Sequence, residues 1–140
     1  MSRSGYSEDC GSDWDLIMYR GAVASAIRGK RGQKFLRELI DALDAMPTKR
    51  LITSKLEHNG EVCALGSVGK RLGLSMPNLD YDDDTGDTIA SMFGIAPALA
   101  REIMWENDEA SWCGMTPENR WAHMRAWAVK NIYVAPTATP

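Results

Sequence analysis

A chain of 140 residues with 44% apolar and 25% charged side chains and a net charge of −3 has the size and balance of one globular domain with its own core. It contains no apolar run of membrane-spanning length, and Met1 to Cys10 lacks the apolar stretch of a signal peptide. Three widely spaced cysteines (Cys10, Cys63, Cys113) argue against a disulfide framework, which together predicts a cytoplasmic protein with reduced thiols.

Residues 1–12 are polar and glycine-containing, the composition of a flexible N-terminal arm. A first helix is expected from Trp14 to Arg28, started by Ser12 or Asp13. Its inner stripe would be Trp14, Ile17, Met18, Gly21, Ala22 and Ser25, with small residues admitting a close neighbour. Gly29 fits the end of that helix. A second helix from Gln33 to Ala45 carries one apolar stripe of Phe35, Leu36, Leu39, Ile40, Leu43 and Met46. Lys34–Glu38 and Arg37–Asp41 stand at supporting i,i+4 spacing on its other face, and Pro47 ends it. The short link makes the two helices antiparallel neighbours.

Asn59-Gly60 is a hairpin signal, since both turn positions accept positive φ, and it predicts a small β-hairpin near residues 51–63. Short helices follow at 64–72, closed by Gly73, and from Asp87 to Phe93, with an acidic turn-rich loop between them. Pro97 opens a helix to about Asn107. Thr116-Pro117-Glu118 starts the last one, with Trp121, Met124, Trp127, Ala128 and Ile132 as its inner stripe. The whole reads as mainly α: a compact bundle of five to six helices with a small hairpin, one globular domain over residues 13–133 and a disordered tail at 134–140.

Charge is unevenly spread. Residues 1–75 sum to +3 and residues 76–140 to −6. Six cations (Arg20, Arg28, Lys30, Arg31, Lys34, Arg37) fall within the first helix, its turn and the second helix. No acid lies among Arg28, Lys30 and Arg31. With the amides of Gly29 and Gly32 at a helix start, Arg28, Lys30, Arg31 and Lys34 are candidates for contact with an anion or nucleic acid, the alternative being a solvated turn.

Other constellations are weaker. Gly66-Ser-Val-Gly69-Lys70-Arg71 lacks the first glycine and the hydroxyl of a Walker loop. Asp80, Asp82 and Asp84 alternate like a calcium loop, but Gly86 is one place late and position twelve is Ser91. The wide separation of Cys10, His58, Cys63, Cys113 and His123 does not resemble a zinc site, and Cys63 reads as a buried thiol. No cofactor and no catalytic set is expected. Trp112 and Met115, with Glu106, Asp108 and Glu109 nearby, form a candidate protein-contact surface: an aromatic anchor beside carboxylates at a helix end where the dipole disfavours them.

The segments Arg20–Arg37, Gly60–Gly66, Glu106–Glu109 and Thr116–Trp127 resemble those of small uncharacterised accessory proteins encoded by tailed bacteriophages and prophages, a likeness running from about Trp14 to Ile132. The resemblance implies a non-enzymatic accessory protein made in the bacterial cytoplasm. Such a protein would bind and modulate or inhibit a host protein or macromolecular machine, an anti-defence or anti-CRISPR-type inhibitor being one case. It supplies no catalytic residues. A nucleic-acid-binding protein using the basic helix-turn 28–37 is the alternative.

Overall fold

The computed structural model describes residues 13–76, 86–109 and 114–133. They form six helices and one antiparallel hairpin, in the order α1 (Asp13–Arg28), α2 (Lys30–Ala45), β1 (Glu57–His58), β2 (Glu61–Val62), α3 (Ala64–Leu72), α4 (Gly86–Phe93), α5 (Pro97–Asp108) and α6 (Pro117–Lys130). The expected class, mainly α with a small hairpin, is the class observed. The expected arm and tail, the aspartates of the 80–84 loop, and Cys10, Trp112 and Cys113 lie outside the described residues.

Helix α2 is the spine. Phe35, Leu36, Leu39, Ala42 and Leu43 are buried at helical spacing, and α2 packs on α1, α3 and α6. Against them lie Leu65 and Val68 of α3, Leu99, Ile103 and Met104 of α5, and Met124 of α6. Phe35 meets the Phe93 ring edge-on at 5.9 Å. Trp121 and Trp127 pack at the edge of this core, and the Trp121 indole N–H donates to the Leu43 carbonyl at 3.1 Å.

The punctuation follows local chemistry. Asn59 (φ 51°) and Gly60 (φ 82°) both take positive φ, as a two-residue hairpin turn of the primed kind requires. The ladder is shorter than the expected 51–63 span, pairing only Glu57 with Val62 and His58 with Glu61. Leu51 and Ile52 run alongside instead, tied by Leu51 N–H to the Pro117 carbonyl and Ile52 N–H to the Val62 carbonyl. Gly73 closes α3 in the left-handed conformation, with Leu74 N–H returning to the Gly69 carbonyl. Thr116 caps α6, its hydroxyl accepting from Asn119 N–H at 3.1 Å. Buried Cys63 caps α3, its Sγ accepting from Gly66 N–H at 3.3 Å.

Two close approaches need glycine. A Cβ on Gly32 would stand 1.9 Å from the Ala26 carbonyl oxygen, and one on Gly66 would stand 1.9 Å from that of Leu56. The first lets α2 turn hard against the end of α1. The second lets α3 lie on the segment preceding the hairpin.

Two expectations are overturned. Trp14, Ile17 and Met18 do not face the core: they are 66%, 59% and 56% exposed, and Gly21, Ala22 and Ser25 continue the exposed face. Helix α1 packs on α5 and α2 through the opposite face, where Tyr19 and Val23 are buried. Both faces of α1 carry apolar residues at helical spacing, so periodicity could not choose between them. The pairs Lys34–Glu38 and Arg37–Asp41 are also absent among the described residues. The ion pair that does form on this helix is Asp44 with Arg125 of α6, at 2.6 Å.

Candidate functional site

The α1–α2 corner is tighter than the sequence implies. Helix α2 begins at Lys30, so the link is the single residue Gly29, in extended backbone (φ −67°, ψ 161°). The first turn of α2 has no side-chain cap. Gly32, expected to offer an open amide, is buried against α1, and Gly29 N–H already bonds the Ser25 carbonyl at 3.1 Å. The corner is held from inside by Gln33. Its Nε2 donates to the Ile27 carbonyl (2.7 Å) and the Asn131 carbonyl (3.0 Å), and its Oε1 accepts from Tyr133 N–H (2.7 Å). Gln33 thus joins both helices of the corner to the end of α6.

Around this clamp Arg28, Lys30, Arg31 and Lys34 are all exposed, and none forms an ion pair among the described residues. Arg28 Nε reaches the Ala24 carbonyl at 3.4 Å and Arg31 Nη1 the Gly94 carbonyl at 3.5 Å, contacts to uncharged backbone groups. Arg37 is exposed one turn further along α2. The four predicted residues therefore surround one rigid corner.

Among the described residues, clefts open on the fold at two places. One of about 520 Å³ opens beside the corner, lined by the cations Arg20, Arg28 and Lys130 and the carboxylates Glu102 and Glu106, with Val23, Ile27 and Trp127 on its walls. Arg20 and Arg28 thus share a cleft of mixed charge. The other, of about 630 Å³, lies between the end of α2, the hairpin and α3, with Arg50, Lys70 and Arg71 beside apolar Ala42, Met46 and Val62. Arg50 stands between Glu61 (3.6 Å) and Glu118 (3.5 Å), and Lys70 reaches the Gly60 carbonyl at 3.3 Å. Sequence inspection met Lys70 and Arg71 only as a failed phosphate loop, because the cleft joins segments that are distant in the chain.

The carboxylates proposed as a protein-contact surface are drawn into the fold. Glu106 bonds His123 at 2.9 Å, with only 11% of the Glu106 side chain exposed. Asp108 Oδ2 accepts from Ser54 N–H (3.0 Å) and Oδ1 from Asn107 Nδ2 (2.7 Å). Burial outweighs both bonds and raises the Asp108 carboxyl to about 6. Glu109 is half-buried at the same helix end. Met115 is half-buried, and its carbonyl accepts from Arg120.

These contacts belong to a polar joint that sequence reading missed. Asn107 Oδ1 accepts from Ala64 N–H at the start of α3 (3.1 Å), while its Nδ2 also donates to the Ile52 carbonyl (2.9 Å). The Arg120 guanidinium donates to three carbonyls: Nε to Asn107 (2.9 Å), Nη1 to Leu51 (3.1 Å) and Nη2 to Met115 (3.1 Å). Four segments meet there. Ser54 sits in it at φ 69°, a left-handed conformation unusual for a residue with a side chain.

Among the described residues no three of His, Cys, Asp and Glu converge as metal ligands would, and no helix is long and apolar enough to cross a membrane. No protein-family model matches the chain, and comparisons with curated proteins and with solved structures find no match.

Proposed function

We propose that this chain is a non-enzymatic binding protein that engages a macromolecule of the host cell through its basic corner, as a phage accessory protein acting on a host machine would. The observation that carries the reading is the set Arg28, Lys30, Arg31 and Lys34: exposed, without acidic partners among the described residues, and mounted on a corner clamped by Gln33 and Gly32. Exposed cations on a clamped corner suit an anionic partner, because little side-chain pairing among the described residues must be broken on binding. The groups suited to chemistry are engaged elsewhere: His123 with Glu106, Asp108 with Ser54 and Asn107, and Cys63 as a helix cap. That engagement supports a binding role over a catalytic one.

The same cations favour a second reading, direct binding of nucleic acid, since nothing acidic lies among Arg28, Lys30 and Arg31. One experiment separates the two. The protein and a variant with Arg28, Lys30, Arg31 and Lys34 changed to Glu are used to capture partners from bacterial lysate, with and without nuclease. A host protein captured by the wild type after nuclease, and lost with the variant, is the expected result. Capture that disappears with nuclease, with a salt-sensitive mobility shift on DNA or RNA, establishes the second reading. Capture undiminished by charge reversal refutes both.

A further inference from the structure

The cleft of about 630 Å³ between the end of α2, the hairpin and α3 has the volume of a small-molecule site. Its frame is fixed. Gly66 lets α3 lie directly on the Leu56 carbonyl, and Ile52 N–H bonds the Val62 carbonyl at 3.0 Å. Lys70 Nζ spends one of its three donors on the Gly60 carbonyl at 3.3 Å.

The lining divides into an aliphatic part and a charged part. Buried Ala42 and Val62 with half-buried Met46 make the aliphatic wall, and no aromatic ring is among the described residues that line the cleft. The charged part sets three cations, Arg50, Lys70 and Arg71, against the one carboxylate of Glu61. Arg50 answers that carboxylate at 3.6 Å and that of Glu118 at 3.5 Å. Lys70 and Arg71 are exposed and form no ion pair among the described residues. The carbonyls at the end of α2, which would repel an anion, are already occupied: Lys49 Nζ donates to those of Asp44 (2.6 Å) and Met46 (2.7 Å). We infer that this cleft binds a small amphipathic anion, its aliphatic body against Ala42, Met46 and Val62 and its carboxylate or phosphate head at Lys70 and Arg71.

Other occupants fit less well. A nucleobase finds no ring to stack on. The aspartates Asp80, Asp82, Asp83 and Asp84 follow α3 in the sequence, but the described chain heads toward them from the far side of that helix. Met76 lies on Gly69, where a Cβ would stand 2.6 Å from its Sδ. At about 100° per residue, Gly69 points about 160° away from both Ser67 and Arg71, which line the cleft. The site does not depend on the basic corner, and each reading can fail without the other.

Octanoate is the probe, with octanol, acetate and inorganic phosphate as comparisons. Followed by amide-resolved NMR, octanoate is expected to bind with a dissociation constant of about 0.1–1 mM and to shift the amides of Gly60, Val62 and Lys70. Octanol lacks the charge, and acetate and phosphate lack the chain, so each should bind at least about tenfold more weakly. Lys70→Gln combined with Arg71→Gln should weaken octanoate about tenfold and leave octanol unchanged, a split that damage to the fold would not give. Ala45→Trp, at an exposed position on the rim, fills the cleft and should weaken both with an unchanged circular dichroism spectrum. Cleft amides that stay unmoved at about 10 mM octanoate, tenfold above the weak end of that range, overturn the inference. So does octanol or inorganic phosphate binding as tightly as octanoate. Loss of binding when Arg28, Lys30, Arg31 and Lys34 are reversed to Glu also overturns it, because the ligand would then sit at the corner. Changing Asp80, Asp82, Asp83 and Asp84 to Asn should leave the affinity within about twofold; a larger gain would make that segment the resident occupant and overturn the inference as well.

Discussion

Replacing Arg120 by alanine tests whether the polar joint holds the fold together. Its guanidinium serves three backbone carbonyls, those of Asn107, Leu51 and Met115, at 2.9–3.1 Å. Asn107 lies in the last turn of α5, where carbonyls lack partners within the helix. A hydrogen bond from a charged donor contributes about 1.5–3 kcal/mol when lost in isolation. Arg120 is only half-buried, so water re-enters to satisfy part of what is removed. The expected loss is therefore about 2–4 kcal/mol in total, well below the sum of three isolated bonds. With a urea slope of about 2 kcal/mol/M, the midpoint of unfolding falls by about 1–2 M. Arg120→Lys keeps the charge but cannot present three donors in one plane, and should recover only part of the loss. Arg125→Ala is the control, because its pair with Asp44 is exposed and such pairs contribute little. Urea titrations followed by tryptophan fluorescence and circular dichroism at pH 7 give all three values. A loss for Arg120→Ala within about 0.5 kcal/mol of the control would refute the joint as a source of stability.

The Asp108 carboxyl titrates near 6 in the fold against 3.8 for the ordinary side chain, so between those values the native state holds more protons than the unfolded one. Its contribution thus declines as pH rises from about 4 to 6, by about 3 kcal/mol, and Asp108→Asn should flatten this part of the stability profile. A wild-type-to-variant difference that is constant from pH 4 to 8 contradicts the assignment. Ser54→Gly relieves the left-handed backbone at φ 69° and is expected to raise stability by about 0.5–1 kcal/mol in thermal melts; a loss of that size would mean the Ser54 side chain outweighs the strain. Gly66→Ala and Gly32→Ala each drive a Cβ into a backbone carbonyl and should cost about 2 kcal/mol or more, measured by urea unfolding. Either variant behaving like wild type would show that the packed segments can separate without penalty.

How much of this could be read from sequence depends on the range of the interactions. Helix α2 was legible from Gln33 to Ala45 because one face is apolar and the other charged, whereas its first turn from Lys30 was not. Thr116-Pro117, Gly73 and Asn59-Gly60 were legible because capping and turn chemistry act within a few residues. The orientation of α1 was not, since Trp14, Ile17 and Met18 compete with Tyr19 and Val23 and only the position of α5 decides. Arg120 and Asn107 read as ordinary polar residues of their helices, for their partners Leu51 and Ala64 lie 69 and 43 residues away. The same applies to Gln33, which looked like the start of a helix and proved to be the clamp of the corner. The basic residues were legible as a group because they are adjacent in the chain, but not the cleft that brings Arg20 and Lys130 beside Arg28.

The clamp at Gln33 also bears on the order of folding. Two of its three bonds reach Asn131 and Tyr133, 98 and 100 residues further along the chain. During synthesis the segment carrying Arg28 to Lys34 leaves the ribosome well before the groups that lock it, which follow Gln33 by 98 and 100 residues. Closing so long a loop is entropically costly and must await the docking of α6. The nascent chain therefore carries its densest positive charge on a corner still unlocked, and that surface gains its final shape only when the last helix is in place.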